Sequence, residues 1–131
     1  ARPELRNCLA EDRRISERWR GILESGRAGG ATFEELASRI EADVASEYRE
    51  SFEQLSAIQL DPAAPSSATL ETLARYSRIR EEASRALAEG LLRHDENLIR
   101  EALDAARRAP YQARGGVAQP QKGAAAPEKA P

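Results

Sequence analysis

The chain has 131 residues, a formal net charge of −2 from 20 basic and 22 acidic side chains, and only one cysteine and one histidine. This length suits a single domain, while the pI of about 5.6 argues against a basic nucleic-acid-binding surface. The lone cysteine excludes an intramolecular disulfide, and no window is apolar enough for a membrane span.

The first predicted helix runs from about Glu4 to Glu24, with Pro3 suited to its first turn. A stripe at spacings of three and four supports it, formed by Leu5, Cys8, Leu9, Asp12, Ile15, Trp19, Ile22 and Leu23. We expect Trp19 to lie in the core; the alternative is an exposed interface anchor. Three glycines within residues 26–30 end this helix.

The second predicted helix extends from about Thr32 to Leu60, a stretch free of glycine and proline. Thr32 and Glu35 have the spacing of a capping box, in which each side chain satisfies an unpaired backbone N–H group. Its apolar stripe comprises Phe33, Leu36, Ile40, Val44, Tyr48, Phe52, Leu55 and Ile58. Such a helix is roughly 43 Å long at 1.5 Å per residue and needs long partner helices.

A proline-containing break at residues 61–67 makes the next helix an antiparallel neighbour. This third helix begins near Ser67 and carries Leu70, Leu73, Tyr76, Ile79, Ala83, Leu87 and Leu91. Residues 94–97 are good capping material, so we predict a turn near Asp95 and a short fourth helix. The alternative is a straight extension that docks on another subunit or partner.

The sequence therefore predicts an all-α, elongated antiparallel helical bundle with three long helices and a short C-terminal helix. We assign the bundle, with coiled-coil-like packing, to residues 1–109. Residues 110–131 are rich in proline, alanine, glycine and lysine, and we interpret them as a disordered tail or linker.

Charge is distributed unevenly along the chain. Lys and Arg minus Asp and Glu gives +2 for residues 1–30, −6 for 31–65, 0 for 66–109 and +2 for 110–131. The acidic second helix is expected to be partly neutralised by Arg13, Arg14, Arg18 and Arg20. The alternative is an electrostatic face for a basic protein partner.

The residue types argue against catalysis and against a bound metal or cofactor. Cys8 and His94 are the one formal nucleophile and base pair, but no recognisable orienting residue accompanies them, and a buried cysteine is the simpler interpretation. A dimetal site needs two Glu-x-x-His units, and Leu91 stands where the glutamate before His94 would be. We therefore predict no enzymatic activity and no cofactor.

The apolar residues beyond Asp95 suggest a surface for another chain. Leu98, Ile99 and Leu103 are the predicted partner-binding residues, because a straight third helix would leave them uncovered. The predicted function is a non-catalytic interaction protein, an adaptor, chaperone-like protein or assembly subunit, whose partner is a protein or a second copy. The alternative is an envelope bundle that senses a ligand or metal through His94 and nearby acids.

The first residue, Ala1, and the absence of an initiating methionine favour a bacterial protein processed after export, periplasmic or secreted. The alternative is a cytoplasmic fragment of a larger protein. Arg and Ala are abundant, as they are in proteins encoded by GC-rich bacterial genomes. This is an association of composition with genome type and has no structural basis.

Overall fold

The computed structural model describes residues 3–115, apart from the side chain of Glu4. Within these residues the chain forms four helices and no strand, which confirms the predicted all-α bundle. Helix α1 is Pro3–Arg27, α3 is Ser66–Arg93 and α4 is Glu96–Ala113. Helix α2 is one rod over residues 33–56, built from Phe33–Ile40, a π-helical turn Glu41–Ala45 and Ser46–Ser56.

Consecutive helices are antiparallel, because residues further along one helix contact residues earlier in the next. The pairs include Arg14 with Glu47 (2.8 Å), Ser25 with Arg39 (3.3 Å), Glu41 with Arg85 (2.6 Å) and Arg75 with the Ala113 carbonyl (2.9 Å). Helix α1 packs on α2, α2 on α3, and α3 on α4, whereas α1 has no comparable packing on α3 or α4. None of the helices within residues 3–115 is both long and apolar enough to cross a membrane.

The core joins the apolar faces of all four helices, and Trp19 lies in it as predicted, with 4 % of its surface exposed. Its larger buried members are Ile15, Trp19, Ile22, Leu36, Ile40, Val44, Tyr48, Leu87 and Leu91. Leu9 is an exception to the predicted stripe. It is 54 % exposed and lines an open crevice whose other walls come from α3 and α4.

The beginning of α2 matches the prediction. The Thr32 hydroxyl accepts from the Glu35 N–H (3.1 Å), and the Glu35 carboxylate accepts from the Thr32 N–H (2.9 Å). The π-helical turn was not predicted. Buried residues at 36, 40, 44 and 48 are each four apart, which exceeds the 3.6-residue period of an α-helix, and a wider turn keeps them on one face.

Helix α2 ends at Ser56, four residues before the predicted end. Leaving the helix lets Ile58 turn back toward Leu55 and Cys8, where all three line a crevice between α1 and α2. Helix α3 begins at Ser66, one residue earlier than predicted, and α1 extends three residues beyond its predicted end.

The predicted turn near Asp95 is confirmed. His94 has the left-handed backbone conformation (φ 53°), and the Asp95 N–H donates to the Gly90 carbonyl (2.9 Å), which closes α3. The Asp95 carboxylate then accepts from the Leu98 N–H (3.1 Å) as the N-cap of α4. The straight third helix is therefore wrong.

The predicted boundary between bundle and tail at Pro110 lies too early in the chain. Helix α4 continues through Pro110 to Ala113, and Ala109 and Ala113 are buried. Proline removes the N–H that would bond the Ala106 carbonyl, but Arg80 donates to that carbonyl instead (3.0 Å). The rest of the predicted disordered tail, beyond Gly115, lies outside the described residues.

Gly90 sets the distance between α3 and α4 at the turn. A Cβ atom there would lie 3.0 Å from both the Ile99 backbone nitrogen and Ile99 Cγ1, so α4 would have to move. Gly21 lies in α1, and a Cβ there would meet no atom within 4 Å.

We predict that Gly90→Ala lowers the free energy of unfolding by about 1 kcal/mol, because overpacking outweighs the gain in helix propensity. Gly21→Ala is the matched control and should raise that free energy by about 0.5–1 kcal/mol. Urea denaturation of both variants measures the difference. Equal stabilisation by the two alanines would contradict the close approach of α3 and α4.

Candidate functional site

A cluster of polar side chains lies between α1, α2 and α3, inside a bundle whose stripes were predicted to be apolar. Asp12 and Ser16 are one turn apart on α1, Tyr76 and Arg80 are one turn apart on α3, and Tyr48 comes from α2. Residues four apart share a helix face, so each helix presents its polar members together. We call these five residues the polar cluster.

The Asp12 carboxylate is the acceptor at one end of the polar cluster. Its Oδ1 accepts from the hydroxyls of Tyr48 and Tyr76, both at 2.7 Å, and from the Ser16 hydroxyl at 3.4 Å. The two tyrosine rings meet edge to face, with centroids 6.2 Å apart. These bonds satisfy a partly buried carboxylate without placing a cation directly against it.

Arg80 is the cation at the other end. Its Nε donates to the Tyr48 hydroxyl (3.2 Å), Nη2 to the Ser16 hydroxyl (3.0 Å) and Nη1 to the Ala106 carbonyl (3.0 Å). Its guanidinium also lies over three aromatic rings, at 4.8 Å from Trp19, 5.3 Å from Tyr48 and 5.6 Å from Tyr76. Rings at these distances attract a cation.

Arg80 and Asp12 are connected through hydroxyl groups and do not form a direct ion pair. The Tyr48 hydroxyl bonds both, and so does the Ser16 hydroxyl. Burial raises the pKa of Tyr48 and of Tyr76 above the ordinary tyrosine value, so both phenols stay protonated and can donate to Asp12.

An open groove lies between α1 and α4 beside Arg80, and we call it the α1–α4 groove. Its volume is 440 Å³, and its lining residues are Ser16, Trp19, Arg20, Leu23, Arg27, Arg80, Leu103, Ala106 and Arg107. Arg27 pairs with Glu24 (3.1 Å) and Arg107 with Asp104 (2.7 Å), whereas Arg20 has no ion pair within residues 3–115. The groove therefore combines an apolar floor with cationic edges.

A smaller crevice of 260 Å³ lies on the other side of the polar cluster. It is lined by Leu9, Asp12, Thr72, Leu73, Tyr76, Pro110, Ala113 and Arg114. The polar cluster thus runs from this crevice, where Asp12 and Tyr76 lie, to the α1–α4 groove, where Ser16 and Arg80 lie.

The predicted partner-binding residues fall in two places. Leu98 and Ile99 are half-buried against Gly90 at the turn between α3 and α4, and Ile99 and Leu103 pack on the core. Leu103 also lines the α1–α4 groove. Because α4 folds back on α3, these residues do not form the uncovered stripe that a straight helix would expose; partner binding through them stays a prediction.

Cys8 and His94 lie near opposite ends of α2. Cys8 is half-buried beside Leu55 and Ile58, and burial together with the nearby Asp12 and Glu11 charges raises the pKa of its thiol. His94 stacks on Phe33 with centroids 4.7 Å apart. A thiol and a base that belong to opposite ends of a 24-residue rod are not within hydrogen-bond reach.

Metal ligands are not clustered in the described part of the chain. No group of three or more His, Cys, Asp or Glu side chains within residues 3–115 is arranged to hold an ion. His94 lies 4.0 Å from Glu34, and this is its one acidic neighbour among the described ion pairs.

Sequence reasoning placed Asp12, Tyr48 and Tyr76 on apolar stripes but did not connect them, and it did not single out Arg80. The available signal was one acid and two tyrosines at core positions of three different helices, since buried hydroxyls and carboxylates need partners. The arginines of α1 were expected to neutralise acidic side chains of α2, and Arg14 does so by pairing with Glu47.

Comparison with known proteins yields no relatives: no family model, curated protein or solved structure matches this chain.

We predict that Tyr76→Phe lowers the free energy of unfolding by about 1–2 kcal/mol, because the partly buried Asp12 carboxylate loses the hydrogen bond that the Tyr76 hydroxyl donates to it. Tyr111→Phe is the matched control, since Tyr111 is exposed, and it should change stability by less than about 0.5 kcal/mol. Equilibrium denaturation measures both. A neutral Tyr76→Phe would mean that the polar cluster contributes nothing to folding.

We also predict that the protein loses stability as the pH rises above about 10, the tyrosine pKa in unfolded chains. The folded state holds the phenolic protons of Tyr48 and Tyr76 more tightly than the unfolded state, so alkali favours unfolding. Denaturant titrations between about pH 8 and 11 measure the decline. It should be shallower in Tyr76→Phe than in the wild type, and equal slopes would contradict the raised pKa of Tyr76.

Proposed function

We propose that this chain is a non-catalytic interaction protein that binds a protein partner through a helix-lined surface, the α1–α4 groove. Adaptors, chaperone-like proteins and assembly subunits act in this way. The observation that carries the proposal is that α1 and α4 leave a groove open between them, whereas each pair of helices consecutive in the chain packs together.

The lining of the groove supports a protein partner. The partly exposed Leu23 and Leu103 supply its apolar lining beside the core residue Trp19, and arginine is among the side chains most enriched at sites that dominate binding energy. Two helices with a channel between them are also the usual receptor for an amphipathic helix. The groove is open along its length, which suits an extended partner better than a small enclosed ligand.

The interior of the bundle offers no comparable support for catalysis. Arg80 and Asp12 are engaged by Tyr48, Ser16 and Ala106, so their hydrogen-bonding capacity goes mainly to joining helices. Hydrogen bonds that join several helices in this way fix the relative positions of those helices. In our proposal the polar cluster maintains the shape of the groove, and the groove binds the protein partner.

The experiment is a selection of displayed amphipathic helical peptides against the full chain. We expect selected peptides to bind at least about tenfold more weakly to Leu23→Gln/Leu103→Gln, because the apolar floor is lost. The matched control is Leu92→Gln, at a leucine that is exposed on α3 and outside the groove, and it should leave binding unchanged. Circular dichroism checks that each variant keeps its helices.

Two results would contradict the proposed function. Either no displayed helix is selected, or the selected helices bind the groove variant and the wild type equally well. In the second case the bundle binds through another face.

A further inference from the structure

The α1–α4 groove is lined by several cationic side chains and by no acidic one. Four of its nine lining residues are arginines, Arg20, Arg27, Arg80 and Arg107, and none is acidic. The whole chain carries a net charge of −2, and the segment that contains α2 carries −6. Arg27 and Arg107 pair with Glu24 and Asp104, so Arg20 and Arg80 are the groove arginines without a direct carboxylate partner within residues 3–115.

Several N–H groups in this groove donate no hydrogen bond to another residue within residues 3–115. Arg80 has five N–H groups and donates three of them, none to a carboxylate. Arg20 forms no ion pair within residues 3–115. Trp19 Nε1 is buried and has no hydrogen-bond partner there. Arginine N–H groups match the two oxygens of a carboxylate, so acidic side chains are the natural acceptors.

The dimensions of the groove suit a helix. On α1, its lining residues Ser16, Arg20, Leu23 and Arg27 recur at spacings of four, three and four, so they lie along one face for about three turns, roughly 16 Å. Leu103 and Arg107 repeat the combination on α4, one turn apart. On α1, Leu23 thus lies between two arginines, and on α4, Leu103 lies one turn from Arg107.

Resting on the proposed function, we propose that the groove binds an acidic amphipathic helix of a partner protein. Its apolar face packs on Leu23 and Leu103, which line the groove beside the buried Trp19. Its glutamate or aspartate carboxylates accept hydrogen bonds from Arg20 and Arg80 at the floor and edge of the groove.

A second copy of this chain fits the groove less well. The acidic helix that it would offer is α2, but Glu41 and Glu47 there already pair with Arg85 and Arg14 within the same chain. A nucleic acid fits less well too, because Trp19 is 4 % exposed and offers no ring for base stacking.

Trp19 is the one tryptophan of the chain and lies in the groove, so its fluorescence reports binding directly. The probe is a synthetic tryptophan-free amphipathic peptide of about four helical turns, with leucines on one face and glutamates beside them. Two matched peptides replace every glutamate by glutamine or by lysine. We expect the glutamate peptide to bind at least about tenfold more tightly than the glutamine peptide, and to weaken as salt is added.

Matched variants of the protein test the location. Arg20→Gln/Arg107→Gln removes two groove arginines, and we expect it to weaken binding of the glutamate peptide at least about tenfold. Arg18→Gln/Arg108→Gln is the control: it makes the same change of charge on the same helices, outside the groove. Arg107 and Arg108 both pair with Asp104, so the control also removes one partner of that carboxylate. It should reduce binding less than about twofold.

The outcomes separate this inference from the proposed function. Equal binding of the glutamate and glutamine peptides, with loss in Leu23→Gln/Leu103→Gln, overturns the acidic partner but leaves the groove as a helix-binding surface. Failure of all three peptides to bind overturns the inference. A groove-dependent dimer in sedimentation assigns the groove to a second copy, and tighter binding of a single-stranded oligonucleotide assigns it to phosphate; either result overturns the acidic helix.

Discussion

The structure depends on how the charge of Arg80 is accommodated between the helices. A guanidinium in a partly buried position is costly unless its N–H groups are bonded, and Arg80 bonds Ser16 of α1, Tyr48 of α2 and the Ala106 carbonyl of α4. One side chain of α3 therefore contacts every other helix. The compensating charge of Asp12 lies one hydroxyl away, so neither ion is left without polar contacts.

The hydrogen bonds of Arg80 also explain why α4 continues past its proline. Proline inside a helix leaves the carbonyl four residues earlier without its donor, and in α4 that carbonyl belongs to Ala106. Arg80 supplies the missing donor, so α4 continues to Ala113, whose own carbonyl accepts from Arg75 (2.9 Å). These two bonds fix helix α4 along α3.

The α1–α4 groove follows from the same arrangement. Trp19, Tyr48 and Tyr76 surround the Arg80 guanidinium, and both Trp19 and Arg80 line the groove. The polar cluster therefore joins the helices in the interior and also contributes Arg80 to the lining of the groove. This is why we place partner binding at the groove rather than at the turn, where Leu98 and Ile99 are already occupied by the packing of α4 on α3.

The sequence by itself determined the helices and their order, because local patterns specify them: the Thr32 capping box, the Asp95 cap and the apolar repeats act within a few residues. It did not determine the polar cluster or the groove. Asp12 and Arg80 are 68 positions apart in the chain, and only tertiary packing decides that hydroxyls from other helices connect them. Periodicity assigns a residue to a face, but the partner of a polar group on that face depends on the neighbouring helix, which a local pattern does not specify.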